Sequence, residues 1–226
     1  MALILNLETA TTNCSVSISK DNEIIVLKEN NAASYSHSEQ LHVFIKEALQ
    51  EASLSFSDLD AIAISKGPGS YTGLRIGVSA AKGLCFSLDI PLISIPTLQS
   101  MAFQVDAQPG ALVIPVLDAR RMEVYSCVYD SDHNEVRETL AEIIDEDTFK
   151  EFATDKKVYI MGSGAEKCKG VLQHPHFVFD ESVVPSAKEM APLAFQKYSA
   201  QQFEDVAYFE PYYLKDFVLQ QKKKKV

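Results

Sequence analysis

Apolar and polar residues alternate along the first 30 positions in the manner of β-strands. Residues 2–7 form a mainly apolar run, and the segments 14–19 and 23–27 lie on either side of a turn at residues 20–22. That turn has the sequence Lys-Asp-Asn, and both Asp and Asn tolerate the backbone angles of a tight reversal. The pattern predicts one strand followed by a β-hairpin.

The spacing changes to that of an amphipathic helix near residue 36. Ser36 and Glu39 match a capping box, in which each side chain satisfies a free backbone N–H. Apolar residues then recur at intervals of three and four positions and define one face of a helix over residues 36–52. They are Leu41, Phe44, Ile45, Ala48, Leu49 and Ala52.

Strands and helices alternate in the rest of the first half. A short apolar run at 59–65 predicts a buried strand, a glycine-rich turn follows, and residues 72–88 have helical spacing. A strand over 91–95 and a shorter helix over 97–105 come next. Three strands followed by alternating helices and strands predict an α/β unit with a mixed sheet.

A Gln-Pro-Gly turn at residues 108–110 marks a domain boundary. It predicts an N-terminal domain over residues 1–106 and a C-terminal domain over residues 107–226, the second with the terminal helix and a basic tail. The predicted elements beyond the turn are strands over 111–120 and 122–130 around a corner at 119–121, a loose acidic stretch over 138–151, a strand over 157–161, and helices over 163–172 and 186–202.

Pro192 requires the last helix to bend or to begin only near Met190. Both halves begin with strands and end in helices, as a duplicated unit would, although no residue-level repeat is visible.

Composition narrows the function classes. The 226 residues are 46% apolar, which suffices for a core, and the net charge is −10. A protein that binds nucleic acid by itself needs a basic face, and only the lysines at 222–225 are strongly basic, so we expect another subunit to hold any RNA. Without a membrane-length apolar run or a signal-peptide pattern, the chain is expected to be cytoplasmic and to have no membrane contact.

The stretch SKGPGSYTGLRIGVSAAKG at residues 65–83 is the strongest candidate for a ligand-binding loop. As a P-loop it fails, because its glycines are one residue too far apart and a leucine stands where a lysine is needed. It also lacks the spacing and the acidic partner of a dinucleotide-binding fingerprint. A glycine turn before a helix still offers N–H groups to an anion. The candidate cofactor-binding residues on those grounds are Gly67, Gly69, Ser70 and Thr72, assisted by Arg75.

Small residues recur every four positions along the following helix. They are Gly73, Gly77, Ala81 and Cys85. Such a stripe lets two helix backbones approach closely, and a glycine inside a helix costs about 1 kcal/mol relative to alanine, so a packing role is required. Two alternatives follow: packing against the helix over 36–52, or a surface that both helices present to a partner subunit.

Catalytic and metal-binding patterns are sparse. Glu8 and Asp118 each end an apolar strand, where a carboxylate can serve phosphate or metal chemistry but is also an ordinary turn residue. His37 and His42 are five residues apart and point in different directions on a helix, so they cannot share a metal ion. No serine, cysteine or lysine has the spacing of a nucleophile and its base, and four scattered cysteines predict reduced thiols. The residues therefore predict neither a metal site nor an active site.

Five segments together resemble a known family. They are LILNLETATTNCSVSI at 3–18, HSEQL at 37–41, ISKGPGSYTGLRIGVSAAKGL at 64–84, VLDARRMEVY at 116–125 and EPYYL at 210–214. By these segments the chain is identified as a member of the family of the bacterial tRNA threonylcarbamoyladenosine biosynthesis protein TsaB, also called YeaZ. The resemblance covers nearly the whole chain.

The resemblance implies an actin-like ATPase fold (ASKHA, ribonuclease H-like) with two related mixed-sheet α/β domains. It implies a glycoprotease-like paralogue of the catalytic subunit TsaD that lacks the metal-binding HxxxH of TsaD. In the family, this subunit pairs with TsaD through N-terminal-domain helices, and the ATPase TsaE joins them. The assembly transfers threonylcarbamoyl to N6 of adenosine 37 in tRNAs that read codons beginning with A, with this subunit as a non-catalytic scaffold. ATP and metal are then expected on partner subunits, and tRNA is reached indirectly through the complex.

By residue match, the helices over 36–52 and 72–88 are the expected partner surface. The expected interface residues are Leu41, Ile45, Gly73, Leu74, Ile76, Gly77, Ala80, Ala81 and Leu84. A second copy is expected on the same surface when TsaD is absent, because a large exposed apolar patch seldom stays free. The first strand ends in Glu8 where the family commonly has Asp, which disfavours nucleotide binding in the cleft. The alternative is an enzyme acting alone, a glycopeptidase-like hydrolase or a nucleotide-binding phosphotransferase.

Overall fold

Two five-stranded sheets and five α-helices account for most of the structure, a computed structural model that describes residues 1–31 and 37–215. The first half contains β1 (Leu3–Glu8), β2 (Asn13–Lys20), β3 (Glu23–Asn31), α1 (His37–Glu51), β4 (Ala61–Gly67), α2 (Tyr71–Leu88), β5 (Leu92–Pro96) and α3 (Thr97–Ala102). The second half contains β6 (Leu112–Asp118), β7 (Glu123–Asp130), β8 (Glu135–Ile143), β9 (Val158–Met161), α4 (Ala165–Val171), β10 (Phe177–Asp180) and α5 (Met190–Ser199). Short 3₁₀ turns lie at Phe56–Asp58 and Lys150–Phe152.

The two sheets have the same topology. Their strand orders are β3-β2-β1-β4-β5 and β8-β7-β6-β9-β10. In each sheet the first three strands form an antiparallel meander, and β4 or β9 pairs in parallel with the first strand of its own sheet. The predicted fold class, two related mixed-sheet α/β domains, is therefore confirmed.

Both faces of the first sheet are covered by helices. Leu5 and Leu7 on β1 contribute to the cluster that contains residues of α1 and α2, whereas Ile4 contributes to a cluster with α5. Successive side chains of a strand point to opposite faces. A strand buried on both faces is a continuous apolar run, which is why the segment over 2–7 is apolar throughout.

Each half contributes one helix to the core around the sheet of the other half. α3 packs Leu98 onto the second sheet, whereas α5 packs Met190 onto the first. Ala61 and Ala63 lie beneath α5, and their small side chains leave room for that helix. The predicted C-terminal domain over residues 107–226 is corrected on this point, because its terminal helix belongs to the core of the first sheet.

Two strands differ from the sequence-based expectation. β8 extends over the first six residues of the stretch at 138–151 that the sequence predicts to be loose. Its pairing with β7 shifts register opposite Ser126 and Val128, and the apolar alternation is broken there. β10 has only four residues and pairs with β9 alone. Neither strand carries the regular alternation on which a prediction from sequence depends.

Helix boundaries follow the strongest local signals. α5 begins at Met190, the later of the two starts that Pro192 allowed, and not at residue 186. The capping residue predicted at Ser36 lies outside the described residues, and α1 is described from His37. Within residues 1–31 and 37–215, no helix combines the length and apolar character required to cross a membrane.

Candidate partner-binding surface

The glycine-rich turn between β4 and α2 packs against two other chain segments. Gly67 has a φ of +108°, and a Cβ atom there would lie 2.9 Å from the carbonyl oxygen of Tyr212. At Gly69, a Cβ atom would lie 2.5 Å from the carbonyl oxygen of Ala10. The glycines therefore let the turn approach neighbouring backbone more closely than a residue with a side chain could.

Two of the backbone N–H groups near the start of α2 donate hydrogen bonds within the chain. The N–H of Ser70 donates to the carbonyl oxygen of Ala10 (2.6 Å), and the hydroxyl of Ser70 accepts from the N–H of Gly73 (3.2 Å). These contacts use donors that a phosphate loop would direct at its ligand. Both candidate glycines and Ser70 thus have structural roles, while Thr72 is exposed. Nucleotide binding at this turn stays a prediction.

The small-residue stripe of α2 faces the interior of the chain. A Cβ atom at Gly73 would overlap the carbonyl oxygen of Thr9, and one at Gly77 would overlap the Thr9 hydroxyl. Further along the stripe, Ala81 and Cys85 are buried in the core of the first sheet. The stripe brings α2 against the β1–β2 turn and the sheet, so it offers no surface to a partner.

Six of the nine expected interface residues are buried within this chain. They are Leu41, Ile45, Gly73, Leu74, Gly77 and Ala81. These positions hold α1 and α2 to the sheet, so a partner can contact them only if that core opens. The expected surface is corrected accordingly; Ile76, Ala80 and Leu84 are half-buried and accessible.

A groove of about 690 Å³ lies between α1 and α2, and two of the expected interface residues, Ile76 and Ala80, contribute to it. This α1–α2 groove is lined by Ser38, His42, Tyr71, Thr72, Arg75, Ile76, Ser79 and Ala80. The Arg75 guanidinium donates a hydrogen bond to the Tyr71 hydroxyl (2.6 Å). Phe86 is 83% exposed and lies two helical turns beyond Ser79 on the same side of α2. The two helices therefore present a continuous outward surface.

A C-terminal strap, residues 204–215, runs along α2. The N–H of Glu204 donates to the carbonyl oxygen of Leu92 (2.9 Å). The ammonium of Lys82 on α2 donates to the carbonyl oxygens of Ala207 (3.1 Å) and Phe209 (3.0 Å). One lysine of the helix thus fixes the backbone of the strap at two places.

The EPYYL segment lies at the end of this strap. The N–H of Tyr212 donates to the carbonyl oxygen of Lys66 (2.7 Å), and the ring of Tyr213 packs on Tyr71 with centroids 5.1 Å apart. Lys215 then pairs with a carboxylate at the corner between β6 and β7. The strap therefore connects the glycine-rich turn, the α1–α2 groove and the second sheet.

The two strand-end carboxylates have different environments. Glu8 is fully buried; its carboxyl accepts hydrogen bonds from the N–H of Ala10 (2.5 Å) and the hydroxyl of Ser65 (2.9 Å), and burial raises its pKa to about 7. Asp118 is half-exposed and pairs with Lys167. The two carboxylates share no hydrogen-bond partner, so the described contacts do not combine them into one site.

The four thiols and His37 are held in packing positions. Burial raises the pKa of the Cys14 thiol to about 11 and the pKa values of the Cys85 and Cys168 thiols to about 12. It also raises the pKa of the Cys127 thiol. A reactive thiol needs a lowered pKa, so these four are poor nucleophiles. The His37 ring contacts the carbonyl oxygen of Thr11 (2.6 Å), and burial lowers its pKa. Among the described residues, no three His, Cys, Asp or Glu side chains form a metal-binding cluster.

Comparison with known proteins decides the family. Residues 29–220 match the family model described as TsaD, tRNA N6-adenosine threonylcarbamoyltransferase. The tRNA threonylcarbamoyladenosine biosynthesis protein TsaB of Escherichia coli (strain K12) is 30% identical over 222 residues, 95% of each chain. The chain belongs to the TsaB family. TsaB of Bacillus subtilis (strain 168) is 34% identical over 131 residues, which cover 56% of this chain and 54% of that protein.

Solved structures extend the likeness of this TsaB-family chain to the whole fold. YeaZ from Pseudomonas aeruginosa matches with a TM-score of 0.81 at 25% identity, over 95% of this chain and all of that chain. A second Pseudomonas aeruginosa structure, described as an uncharacterized protein with similarity to peptidase YeaZ, matches with a TM-score of 0.84 at 26% identity, with the same coverage. These matches agree with the two-sheet architecture.

The accessible surface of this TsaB-family chain, the α1–α2 groove and the strap, differs from the expected interface. The sequence contains some features that indicate it. Arg75 and Ser79 are polar residues on a largely apolar helix and mark its outward side, on which Phe86 is also exposed. The strap gives a weaker signal, a run of aromatic residues without strand or helix periodicity over 203–213. Its contacts with α2 join residues more than 120 positions apart, which local patterns do not encode.

Proposed function

We propose that this chain is a non-catalytic scaffold subunit in the biosynthesis of tRNA threonylcarbamoyladenosine, and that its α1–α2 groove binds a TsaD-type catalytic subunit. Membership of the TsaB family supports a role of this chain in that biosynthesis. The groove supports the mode of action, because it is the place where two helices of the first sheet jointly offer an accessible concave surface.

The composition of the groove suits a protein partner. Ile76 and Ala80 supply apolar surface, and Arg75 and Tyr71 supply an anchored polar group beside it. Tyrosine, phenylalanine and arginine are enriched in protein interfaces, and exposed Phe86 extends the apolar area. An exposed apolar patch of this kind is typical of an interaction site.

A scaffold role agrees better with the buried groups than an enzymatic one. The four thiols have raised pKa values, and Glu8 is enclosed by its own chain. We propose that TsaE joins the pair, that ATP and metal are bound by the partner subunits, and that the complex acts in the cytoplasm. Without TsaD, the same groove would pair with a second copy of this chain.

Reconstituted threonylcarbamoyl transfer to tRNA, with TsaD, TsaE and this chain, tests the proposal. We expect activity to depend on the chain, to fall at least tenfold in Ala80→Arg, and to be kept in Glu8→Gln. The exposed helix end at Ser199, on the opposite face of the first sheet, provides a control, Ser199→Arg. Full activity without the chain, or loss of activity in a folded Glu8→Gln that still binds TsaD, would overturn the scaffold role.

A further inference from the structure

Arg75 carries a permanent positive charge on the wall of the α1–α2 groove, and its side chain is exposed there. Within residues 1–31 and 37–215, no carboxylate lines the groove and the Arg75 guanidinium forms no ion pair. Its one hydrogen bond among those residues goes to the Tyr71 hydroxyl (2.6 Å), although a guanidinium has five N–H donors. The groove therefore presents an uncompensated charge with unused donors, in a chain whose net charge is −10.

The ring of Tyr71 links Arg75 to the strap. Tyr71 and Arg75 are four residues apart on α2, a spacing at which the side chains of a helix are neighbours. The guanidinium carbon of Arg75 lies 5.3 Å from the centroid of the Tyr71 ring, within the range of a cation–π contact. The Tyr213 ring lies 5.1 Å from the same Tyr71 ring. Tyr71 thus contacts the arginine on one side and the strap on another.

The backbone on both sides of this contact is fixed. Tyr212 donates its N–H to the carbonyl oxygen of Lys66 (2.7 Å). The carbonyl oxygen of Tyr212 lies so close to Gly67 that a Cβ atom there would be only 2.9 Å away. Farther along α2, the Lys82 ammonium binds two other carbonyl oxygens of the strap. The strap therefore presents the ring of Tyr213 to α2 from a backbone that is held at several points.

We propose that Arg75 determines which partner the groove accepts, by pairing with a carboxylate of the TsaD-type subunit, and that Tyr213 positions Arg75 through Tyr71. The inference deepens the proposed function and rests on it. A guanidinium binds a carboxylate through paired N–H donors, and arginine is enriched among the residues that dominate binding energy at interfaces. Contacts that hold Arg75 before binding reduce the entropy lost when the pair forms.

The charge of Arg75 also excludes unsuitable partners. A partner surface without an acidic group would cover the guanidinium and leave it desolvated and unpaired, which is unfavourable. A basic partner surface would add repulsion between like charges. Specificity is a difference between affinities, so one arginine beside the apolar surface of Ile76 and Ala80 favours a helix or loop that carries both apolar and acidic side chains.

The variant Arg75→Gln tests the ion pair. TsaD is titrated into the full chain by calorimetry at low and at high salt. We expect Arg75→Gln to bind about tenfold more weakly at low salt, with a smaller loss at high salt because ions screen the pair in the wild type. The matched control is Arg121→Gln, which removes an exposed arginine at the corner between β6 and β7 and should bind as the wild type does.

Three variants on the strap test the positioning role. Tyr213→Ala should weaken binding about threefold, as expected when an aromatic contact is lost, whereas Tyr213→Phe keeps the ring and should bind normally. Tyr208→Ala is the control on the same strap, because Tyr208 is 84% exposed, and it should also bind normally. The double variant Arg75→Gln with Tyr213→Ala should bind no more weakly than Arg75→Gln alone, because the tyrosine acts through the arginine.

The outcomes separate this inference from the proposed function. If the wild-type chain does not bind TsaD, the proposed function fails. If the wild type binds and Arg75→Gln binds equally well, or if Arg121→Gln loses as much affinity, the role of Arg75 is rejected while the groove remains. Normal TsaD binding by Arg75→Gln with weaker binding of tRNA to the complex would assign the arginine to a phosphate and also reject it. Additive losses in the double variant would show that Tyr213 contacts the partner directly and would overturn the positioning role.

Discussion

Glu8 shows at the scale of one residue how burial changes the chemistry that a sequence suggests. A carboxylate at a strand end suggested phosphate or metal chemistry, but the structure encloses it, and Oε2 has no hydrogen-bond partner among the described residues. The loss of hydration disfavours the charged form and raises the pKa from 4.5 to about 7. The sequence could locate Glu8 at the end of β1 but could not show that Ser65, 57 positions away, would close over it.

Stability should therefore depend on pH through Glu8. Between pH 4.5 and 7 the unfolded chain releases the proton while the native carboxyl keeps it, so the free energy of unfolding falls as pH rises. The fall is up to about 3 kcal/mol, since each pKa unit corresponds to about 1.4 kcal/mol. Urea unfolding from pH 5 to 8 should show this slope in the wild type and lose it in Glu8→Gln. A control at an exposed carboxylate, Glu151→Gln, should keep the slope; a wild-type profile without it contradicts the protonated state.

At the scale of the element, α2 uses its glycines in two different ways. Gly77 lies against Thr9, where no Cβ atom fits, whereas Gly83 is exposed and has open space around it. The sequence predicted a packing reason for glycines inside this helix. The structure shows such a packing contact for Gly77 but not for Gly83. Helical periodicity shows which residues share a face but not what that face contacts, so the sequence alone could not distinguish the two glycines.

The two glycines give a matched pair of alanine substitutions. Gly77→Ala should destabilise the chain by about 1–3 kcal/mol, the usual cost of overpacking a core. Gly83→Ala should stabilise it by up to about 1 kcal/mol, because alanine is the better helix former. Urea unfolding measures both, and equal effects of the two substitutions would contradict the described packing of α2.

At the scale of the whole molecule, the halves are joined by segments that local patterns do not place. Strand order followed from the alternation of helices and strands, and the mixed sheets were predictable for that reason. The packing of α5 on the first sheet and the course of the strap along α2 depend on contacts between residues far apart in the sequence, such as the cluster that contains Ile4 and Met190 and the hydrogen bond from Lys82 to Ala207. Along the strap, such contacts link the glycine-rich turn, the groove and the corner between β6 and β7.

The central claim is that the α1–α2 groove binds a TsaD subunit. Calorimetric titration of TsaD into the wild-type chain, Ser79→Arg and Ser199→Arg tests it most directly, because both substitutions place the same side chain at an exposed serine and only the first lies in the groove. We predict that Ser79→Arg weakens binding at least tenfold and that Ser199→Arg binds as the wild type does. An unchanged dissociation constant for a folded Ser79→Arg chain would contradict the account.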